Sequence, residues 1–436
     1  MNVRSLPNLQ PVIDSHEHVA LLWDERLEGR AVLAVGAKRS LQVDMGREGC
    51  WDAWQAFVEQ GQRRKAWSVG WLGYDLYSAL EGFKGHVQAS PPHPSHWPLL
   101  HWIEPEAVLV WEVGEIHPKA ATTGALALAL ESLLSGTSHT SSERENDEHA
   151  PAPRSFHADE WQPLTPLWTK EHYLEKFNKV HRALKRGDLY EMNLCMPWKG
   201  AMPGPESWRA FERLAQATRA PHSAYFQAGN HRMLSASPER FVSKKGQIVR
   251  SQPIKGTVKR GNNPEEDLAL KQGLLVSEKE RAENVMIVDL VRNDLSQIAE
   301  PRSVEVEELF GIHSFATVHQ MISTIRCTLQ PHTSEHAMME ALFPMGSMTG
   351  APKISAVKHI ASLEEHGRGV YSGAMGYVDP EGDLDFNVVI RTLLHDASTR
   401  EVHATVGGAI TLLSEGDQEY EECLLKAHAL RTSLRP

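Results

Sequence analysis

Pairs of short strands joined by tight turns are the feature that most constrains the fold of this chain. Three predicted pairs occupy residues 233–257, 369–393 and 385–410. Their turns lie at Lys245-Gly246, at residues 379–382 and at residues 396–400. Strands connected so tightly run antiparallel, because parallel strands need a long crossover. Since helical segments lie between the pairs, the sequence predicts antiparallel sheets covered by helices in an α+β protein, and excludes a simple doubly wound nucleotide-binding fold.

Helical periodicity and apolar runs predict the remaining elements. Helical spacing predicts helices at residues 124–134, 170–186, 205–217, 265–295, 333–342 and 416–430. The fourth helix is expected to break near Gly273, because glycine is a poor helix former. Short apolar runs predict buried strands at residues 31–35, 67–72 and 107–113.

The composition changes most sharply between residues 135 and 165. That segment is rich in serine, charged residues and proline, and it offers too little apolar area to offset the entropy of ordering it. We expect a flexible polar linker there. It separates an amino-terminal α+β region, residues 1–134, which completes the sheets, from a larger carboxy-terminal domain, residues 166–436, which carries the chemically distinctive motifs.

Charge and cysteine content exclude several classes of protein. The 436-residue chain has a formal net charge of -11, so it lacks the basic balance of a dedicated nucleic-acid binder, although a local basic pocket for an anion remains open. Its four cysteines form no C-x-x-C pair, so the sequence predicts neither a zinc site nor a disulfide framework. Without a signal-peptide pattern or a run of roughly 18 apolar residues, the protein is expected in the cytoplasm and not in a membrane.

Two predicted helices each carry a pair of glutamates three residues apart. Glu280 and Glu283 share one helix face, and Glu419 and Glu422 share another, with Lys426 four residues further on. Carboxylates from two facing helices, with positions left open for a substrate carboxylate and water, suit Mg²⁺. Taken singly, such a pair is more often a solvated helix face, so the pairs alone leave both interpretations open.

One lysine stands between a proline and a glycine, in Pro253-Ile254-Lys255-Gly256-Thr257. Proline fixes φ and glycine permits a left-handed backbone, so the sequence predicts a tight turn that aims the Lys255 ammonium above the end of a strand. Such a lysine acts as a nucleophile when it is desolvated and neutral, or binds an anion when it stays charged. An ordinary solvated turn lysine is the alternative.

Seven motifs occur in a fixed order between residues 170 and 434. They are GDLYEMNL at 187–194, SASPERF at 235–241, RAEN with VDLVRND at 281–294, TGAPK at 349–353, YSGAMGY at 371–377, IRT at 390–392, and the segment 419–426. With these motifs the chain resembles the chorismate-utilising enzymes, the family of anthranilate, aminodeoxychorismate, isochorismate and salicylate synthases. The resemblance implies two packed, largely antiparallel sheets covered by helices, an α/β/β/α sandwich, with chorismate as the substrate.

Within that family, the motif around Lys255 resembles the aminodeoxychorismate synthases, whereas anthranilate synthases usually carry alanine at that place. The resemblance implies a double displacement. Lys255 adds to ring carbon 2 while Glu239 protonates the departing 4-hydroxyl, and ammonia then enters at carbon 4 and expels the lysine. Glu239 suits this role if burial raises its pKa. A structural carboxylate paired with Arg240 is the alternative for Glu239, and anthranilate formation is the alternative for the enzyme.

The resemblance also implies partners for the two carboxylates of chorismate. Mg²⁺ held by Glu283 and Glu422, with Glu280 and Glu419 nearby, is expected to neutralise the ring carboxylate. The enolpyruvyl carboxylate is expected to bind Arg391 bidentately. The full set of predicted substrate-binding residues is Tyr371, Arg391, Gly407, Gly408, Ala409, Lys353 and Lys426. For Lys353 a structural role is an equal alternative.

Some positions depart from the family pattern. Glu191 stands where relatives often have glutamine and where the isochorismate and salicylate branch has a water-activating lysine, so hydroxylation of chorismate is not expected. Gln320 stands where many relatives have histidine, with His319 one place earlier, and neither receives a catalytic role. Ala409 replaces the third glycine of the carboxylate-binding loop.

The expected source of ammonia is a second protein. None of the four cysteines, Cys50, Cys195, Cys327 and Cys423, lies in the glycine-flanked elbow of a glutaminase. We therefore expect a separate glutamine amidotransferase subunit as partner, and no nucleic-acid or membrane partner.

A competing interpretation comes from the amino terminus. His16 and His18 resemble the zinc-binding H-x-H of metal-dependent amidohydrolases. That fold requires a (β/α)₈ alternation that the rest of the chain does not show. A non-enzymatic binding protein is a third possibility, but the coexistence of Lys255, Glu239 and both glutamate pairs argues against it.

Overall fold

The computed structural model describes residues 5–24, 30–44, 49–87, 91–136 and 161–435. The amino-terminal elements are α1 (Gln10–Ser15), β1 (His18–Trp23), β2 (Ala31–Val35), β3 (Arg39–Val43), α2 (Cys50–Arg63), β4 (Ser68–Leu72), β5 (Leu100–Glu104), β6 (Ala107–Trp111), β7 (Lys119–Ala120) and α3 (Ala125–Gly136). The central elements are β8 (Gln162–Pro166), α4 (Lys170–Arg186), β9 (Glu191–Ala201), α5 (Ser207–Thr218), β10 (His222–Ala228), β11 (His231–Ser237), β12 (Arg240–Lys245), β13 (Ile248–Gln252) and β14 (Ile254–Lys259).

The carboxy-terminal elements follow without a gap in the described residues. They are α6 (Pro264–Val276), α7 (Glu278–Ser296), β15 (Glu305–Ser314), β16 (Val318–Thr328), α8 (Glu335–Leu342), α9 (Gly346–Thr349), β17 (Gly350–Ala351), α10 (Lys353–Leu363), β18 (Ala374–Val378), β19 (Leu384–Val388), β20 (Thr392–Asp396), β21 (Glu401–Thr411) and α11 (Gly416–Ser433). Short 3-10 turns occur at Tyr74–Ala79 and Gly204–Glu206.

The strands form two sheets. Sheet 1 has the order β17-β9-β21-β20-β11-β10-β1-β2-β6-β7, with β8 paired to β9. Sheet 2 has the order β14-β16-β13-β12-β19-β18-β4-β5-β3, with β15 paired to β16. All pairings between named strands of the described residues are antiparallel. The three predicted turns join β12 to β13, β18 to β19 and β20 to β21, which confirms the antiparallel prediction.

An apolar layer lies between the two sheets. Ala20 of β1 and Phe226 of β10 face Trp71 of β4 across this layer, and the rings of Trp71 and Phe226 meet edge to face with centroids 5.0 Å apart. The neighbours of Ala20, Val19 and Leu21, belong to the outer core instead. Because successive strand residues point to opposite faces, apolar residues at consecutive positions bury both faces of the strand.

Helices cover the outer face of each sheet, which confirms the predicted α/β/β/α sandwich. Helices α4, α5, α10 and α11 pack on sheet 1, and α2, α6 and α7 pack on sheet 2. Helix α4 shows why these segments are helical. The Thr169 side chain accepts a hydrogen bond from the His172 amide at its start, and Gly187 ends it with a φ of 81°. Its apolar residues recur at helical spacing on one buried face, at Tyr173, Phe177, Val180 and Leu184.

The long helical segment breaks at Ser277, and the prediction of a break near Gly273 was wrong. Ser277 ends α6 and caps α7, where its side chain accepts a hydrogen bond from the Glu280 amide at 3.4 Å. A side chain that satisfies a free amide determines where a helix starts, whereas a single glycine inside a helix is tolerated at a cost of about 1 kcal/mol. The cap places Glu280 and Glu283 in the first two turns of α7.

The amino-terminal residues supply strands to both sheets. Strands β1, β2 and β6 lie in sheet 1, and β3, β4 and β5 lie in sheet 2. Most of the predicted linker, residues 137–160, falls outside the described residues, and Gln162–Pro166 at its end forms β8. Among the described residues, no helix combines the length and the apolar character needed to cross a membrane.

Candidate functional site

Lys255 lies in a bulge of β14 and not in the predicted turn. The pairing of β14 with β16 loses its regular register between Ile254 and Thr257, and Gly256 has a φ of 82°. A Cβ atom at Gly256 would also lie 2.9 Å from a carboxylate oxygen of Glu280. The sequence signal was ambiguous because a left-handed glycine serves both a tight turn and a bulge. The bulge interrupts the ladder and turns Lys255 towards sheet 1.

The Lys255 ammonium forms an ion pair with Glu191, the first residue of β9. Nζ lies 2.6 Å from Oε1 of Glu191, and both side chains are buried. Burial lowers the pKa of Lys255, but the charges of Glu191, Glu283 and Glu239 together outweigh it and raise the pKa above its usual value. Lys255 is therefore an ammonium among three carboxyl groups.

Glu239 lies between β11 and β12 and is buried. Burial raises the pKa of Glu239 to about 7, while a hydrogen bond from Ser347, the charge of Lys255 and the amide of Ile254 lower it in part. Such a carboxyl can hold a proton near neutral pH and can also release it. The structural alternative for Glu239 does not hold, because Arg240 donates to Asp385 at 2.9 Å instead.

The chain crosses from sheet 2 to sheet 1 between Val388 and Thr392. The sequence predicted one strand pair over residues 385–410, but residues 384–388 belong to sheet 2 and the pair in sheet 1 starts at Thr392. Because β20 begins only at Thr392, its pairing with β21 ends at Ala404. Residues 405–411 of β21 therefore pair with β9 on one side, and no strand of the described residues pairs with their other side, the open edge.

Several predicted anion-binding groups meet at this open edge. Gly407, Gly408 and Ala409 lie along it, and Lys426 donates from α11 to the Gly407 carbonyl at 2.8 Å. Arg391 lies in the crossover itself with a φ of 51°. Within the described residues, no side-chain hydrogen bond or ion pair holds its guanidinium.

Tyr371 and Glu422 act electrostatically on Arg391. The Tyr371 hydroxyl is buried and lies 3.7 Å from Sγ of Cys195 on β9. Arg391, whose guanidinium forms no hydrogen bond or ion pair within the described residues, and the open strand edge together form a place where a substrate carboxylate can bind.

The glutamate pair of α11 borders the same edge. A Cβ atom at Gly408 would lie 3.1 Å from Oε2 of Glu419 and 3.9 Å from Oε1 of Glu422. Glu422 is partly exposed and binds Lys426 at 2.6 Å. Lys279 of α7 is electrostatically coupled to both Glu419 and Glu422, so the two glutamate-bearing helices face each other.

The glutamate pair of α7 lies on the Lys255 side of the site. Burial raises the pKa of Glu283 to about 7, and Glu191 and Glu280 act in the same direction, whereas Lys255 opposes them. A cation would relieve this crowding of like charges, and carboxylates are ligands that suit Mg²⁺. Among the described residues, no group of three or more histidine, cysteine, aspartate or glutamate side chains is close enough to hold a metal ion alone. Magnesium therefore stays a prediction that needs oxygens from substrate or water.

Lys353 has protein partners for its charge, and the structure does not bring it to the other predicted substrate-binding residues. Its ammonium binds Asp294 of α7 at 2.6 Å and the Leu342 carbonyl at 3.2 Å. Because both partners are protein groups, Lys353 ties α10 to α7 and α8. The geometry favours the structural role that the sequence left open.

Three other histidines and a glutamine named from the sequence have local roles. His319 binds Asp267 at 3.0 Å and Ser314 at 2.8 Å, and Gln320 lies 3.5 Å from the Thr257 hydroxyl. His16 binds the Val12 carbonyl, while His18 packs against His101. The antiparallel sheets also contradict the (β/α)₈ fold that the amidohydrolase alternative required.

A buried ion pair behind the site was missed by the sequence reasoning. Arg368 donates two hydrogen bonds to Glu364, each of 2.8 Å, and others to the carbonyls of Met348 and Asn193. Glu364 in turn accepts from the Cys195 amide at 3.0 Å. The pair thus ties β9 to the segment before Tyr371. Its Glu-x-x-x-Arg spacing was the available signal, but it is common on solvated helices.

The chain matches the model of a known protein family over nearly its whole length. A family model described as chorismate binding enzyme matches residues 18–432. The chain is 40% identical over 271 residues to aminodeoxychorismate synthase component 1 of Klebsiella aerogenes, covering 61% of this chain and 59% of that protein. It is 32% identical over 369 residues to an anthranilate synthase component I-like protein of Synechocystis, covering 84% of this chain and 72% of that protein.

A solved structure shows the same architecture. Anthranilate synthase component I from Streptococcus pneumoniae aligns with a TM-score of 0.76 and 25% identity, over 94% of this chain and 92% of that chain. The aligned part of this chain spans less than two thirds of the Klebsiella protein.

Proposed function

The chain belongs to the chorismate binding enzymes, as its motifs predicted, and on that premise we propose that it acts as an aminodeoxychorismate synthase component I. In this proposal it converts chorismate and ammonia to 4-amino-4-deoxychorismate, for p-aminobenzoate and folate biosynthesis. The observation that carries the proposal is the buried Lys255, paired with Glu191 and electrostatically coupled to Glu239. The identity to relatives named aminodeoxychorismate synthase component 1 supports it.

The chemistry assigned to these residues is a double displacement. The neutral amine of Lys255 forms a bond to ring carbon 2, and the 4-hydroxyl leaves as water with the proton of Glu239. Ammonia then bonds to carbon 4, the bond between lysine and carbon 2 breaks, and Glu239 takes back a proton from the new amine. The pKa of Glu239, about 7, suits both proton transfers.

Substrate binding uses the open strand edge. Arg391, which has no side-chain hydrogen bond or ion pair in the described structure, binds the enolpyruvyl carboxylate, with Tyr371 and the backbone of Gly407 and Gly408 beside it. Glu283 and Glu422, with Glu280 and Glu419, would hold Mg²⁺. When bound, the ion supplies positive charge to the ring carboxylate.

We propose that the ammonia comes from a separate glutamine amidotransferase subunit. The name component 1 of the Klebsiella and Salmonella relatives supports a second component. The four cysteines, all in the described residues, are buried free thiols, so none is exposed as a glutaminase nucleophile needs to be. Buried free thiols also agree with the proposal of a reducing, cytoplasmic location.

Product analysis tests the proposal. The purified protein with chorismate, Mg²⁺ and ammonium should form 4-amino-4-deoxychorismate, resolved by chromatography from anthranilate and isochorismate. Anthranilate is the second candidate product, because the Streptococcus pneumoniae structure is an anthranilate synthase component I. Formation of anthranilate alone contradicts the proposal, as does the absence of turnover with both ammonium and an amidotransferase partner.

A further inference from the structure

Glu191 is the carboxylate that contacts Lys255, and its surroundings are unusual. Its backbone is held on both sides, by Ala351 of β17 and by Thr411 of β21. Its side chain is completely buried, with Oε1 2.6 Å from Nζ of Lys255. Its second oxygen, Oε2, is buried and has no hydrogen-bond partner in the described structure. A buried carboxylate with an unsatisfied oxygen is costly, which indicates a role beyond packing.

The charges around the pair keep Lys255 protonated. Lys255 is faced by Glu191 of β9, by Glu283 of α7 and by Glu239 from the turn between β11 and β12. Glu191 is itself faced by Lys255 and Glu283. An ammonium has no lone pair, so Lys255 cannot attack a carbon atom until it loses a proton. Because Lys255 is buried, an acceptor inside the protein takes that proton more readily than solvent does.

We propose that Glu191 accepts the proton of Lys255, holds it while the lysine is bonded to the substrate, and returns it when the lysine is released. The inference rests on the proposed function, since it concerns the lysine that attacks chorismate. Glu191 acts through Lys255 and is thus a positioning and proton-holding residue, not one that contacts the substrate ring.

The proton balance closes with the groups present. One proton moves from Nζ of Lys255 to Glu191, and the amine then turns about its Cε–Nζ bond to present its lone pair to ring carbon 2. The carbon–oxygen bond at carbon 4 breaks, and water leaves with the proton of Glu239. When ammonia bonds to carbon 4, the electrons of the carbon–lysine bond return to Nζ. Nζ recovers its proton from Glu191, and Glu239 recovers its proton from the new amine.

The other two carboxyl groups, those of Glu239 and Glu283, are less suited than Glu191 to accept the Lys255 proton. Glu239 must be protonated when the hydroxyl leaves, so it cannot also hold the lysine proton. Glu283 forms no hydrogen bond to Lys255 and instead pairs with Lys279 at 4.0 Å. Glu191 alone of the three is in hydrogen-bond contact with Nζ.

The pH dependence of Glu191→Gln tests the inference. In the wild type the proton moves within the pair, so formation of the neutral amine does not depend on solvent pH. In the variant Lys255 must lose its proton to solvent. We expect the ratio of variant to wild-type single-turnover rates with ammonium to be about 0.1 or less near pH 6 and to rise towards one near pH 9. Taking the ratio cancels the titration of Glu239 and of ammonium itself.

Glu191→Asp is the matched control. It keeps the charge but moves it one methylene away from Nζ, so the ratio of rates should fall below one and stay constant with pH. This variant also carries the test if Glu191→Gln does not fold. A pH-independent ratio for Glu191→Gln, or an aspartate variant whose ratio rises with pH, overturns the inference. Failure of the wild type to form 4-amino-4-deoxychorismate would instead overturn the proposed function.

Discussion

Glu239 is a single buried group whose protonation affects stability and, in the proposed function, catalysis. Its pKa is about 7 because burial disfavours the charged form, although Ser347 and Lys255 partly oppose this. Just below neutral pH it is a protonated acid, the form that a leaving hydroxyl needs. Above that pH it is a buried carboxylate, which disfavours the folded state.

Glu239→Gln should therefore gain stability while it loses activity. Between pH 4.5, the ordinary value for glutamate, and about 7, the folded protein binds more protons at this site than the unfolded chain, so wild-type stability falls as the pH rises. The variant has no carboxyl group at position 239, so its stability does not fall in this way as the pH rises. Its free energy of unfolding should exceed that of the wild type by about 1–3 kcal/mol near pH 8 and by much less near pH 5. Turnover should fall about 100-fold or more.

Urea unfolding at the two pH values measures the effect, with Glu335→Gln as the control. Glu335 is buried too, and burial alone would raise its pKa, but the charge of Lys244 and hydrogen bonds from the protein lower it overall. Its stabilisation is present above the ordinary glutamate pKa of 4.5 and is lost only below it, so this variant should lose about the same stability near pH 5 as near pH 8. A stability difference for Glu239→Gln that does not change with pH contradicts the account.

At the scale of elements, the amino-terminal end of α7 positions one glutamate pair. Ser277 caps the helix through the Glu280 amide, and Glu280 and Glu283 follow within two turns. A looser first turn moves both carboxylates, so in the proposed function the cap should affect magnesium binding as well as stability.

Ser277→Ala should cost about 1 kcal/mol of stability and raise the Mg²⁺ concentration needed for half-maximal activity. Ser334→Ala is the matched control, because Ser334 caps α8 through the Ala337 amide at 3.1 Å, outside both glutamate helices. It should lose the same stability with no change in the Mg²⁺ requirement. Thermal unfolding and magnesium titration measure the two effects. An equal change in Mg²⁺ requirement in both variants would show that the α7 cap has no special role.

The elements themselves could largely be predicted from the sequence, because their signals are local. The turns at Lys245-Gly246, at residues 379–382 and at residues 396–400 are all present. The sequence failed where two local structures were both compatible with the same residues. Glycine at 273 was a plausible break, yet the Ser277 side chain satisfied a free amide, and Gly256 forms a bulge where a turn was equally compatible.

At the scale of the whole molecule, the site exists only where the two sheets meet. Lys255 comes from sheet 2 and Glu191 from sheet 1, while Arg391 lies in the crossover between them. The sheets contain strands from the amino-terminal residues as well, with β4 paired to β18 and β1 paired to β10. The geometry of the site therefore depends on most of the chain.

This assembly explains what the sequence could not predict about the site. The order of the motifs indicated one enzyme family, and with it a site that contains Lys255, Glu239 and Arg391. The Lys255–Glu191 contact, in contrast, joins residues 64 positions apart in different sheets. No local pattern contains such a contact. The partners of Lys353 could not be predicted either, because Asp294 and Leu342 approach it only when α7, α8 and α10 pack together.

The most direct test of the account is whether Lys255 becomes bonded to the substrate. Wild-type protein mixed with chorismate and Mg²⁺ in the absence of ammonium, then quenched with acid, should gain the mass of chorismate less one water, located on Lys255 by peptide mapping. Lys255→Ala should show no adduct and form no 4-amino-4-deoxychorismate. Lys244→Ala, which removes a half-buried lysine that pairs with Glu335 at 3.1 Å, should retain the adduct. An adduct on another residue, or unchanged product and rate in Lys255→Ala, would contradict the account.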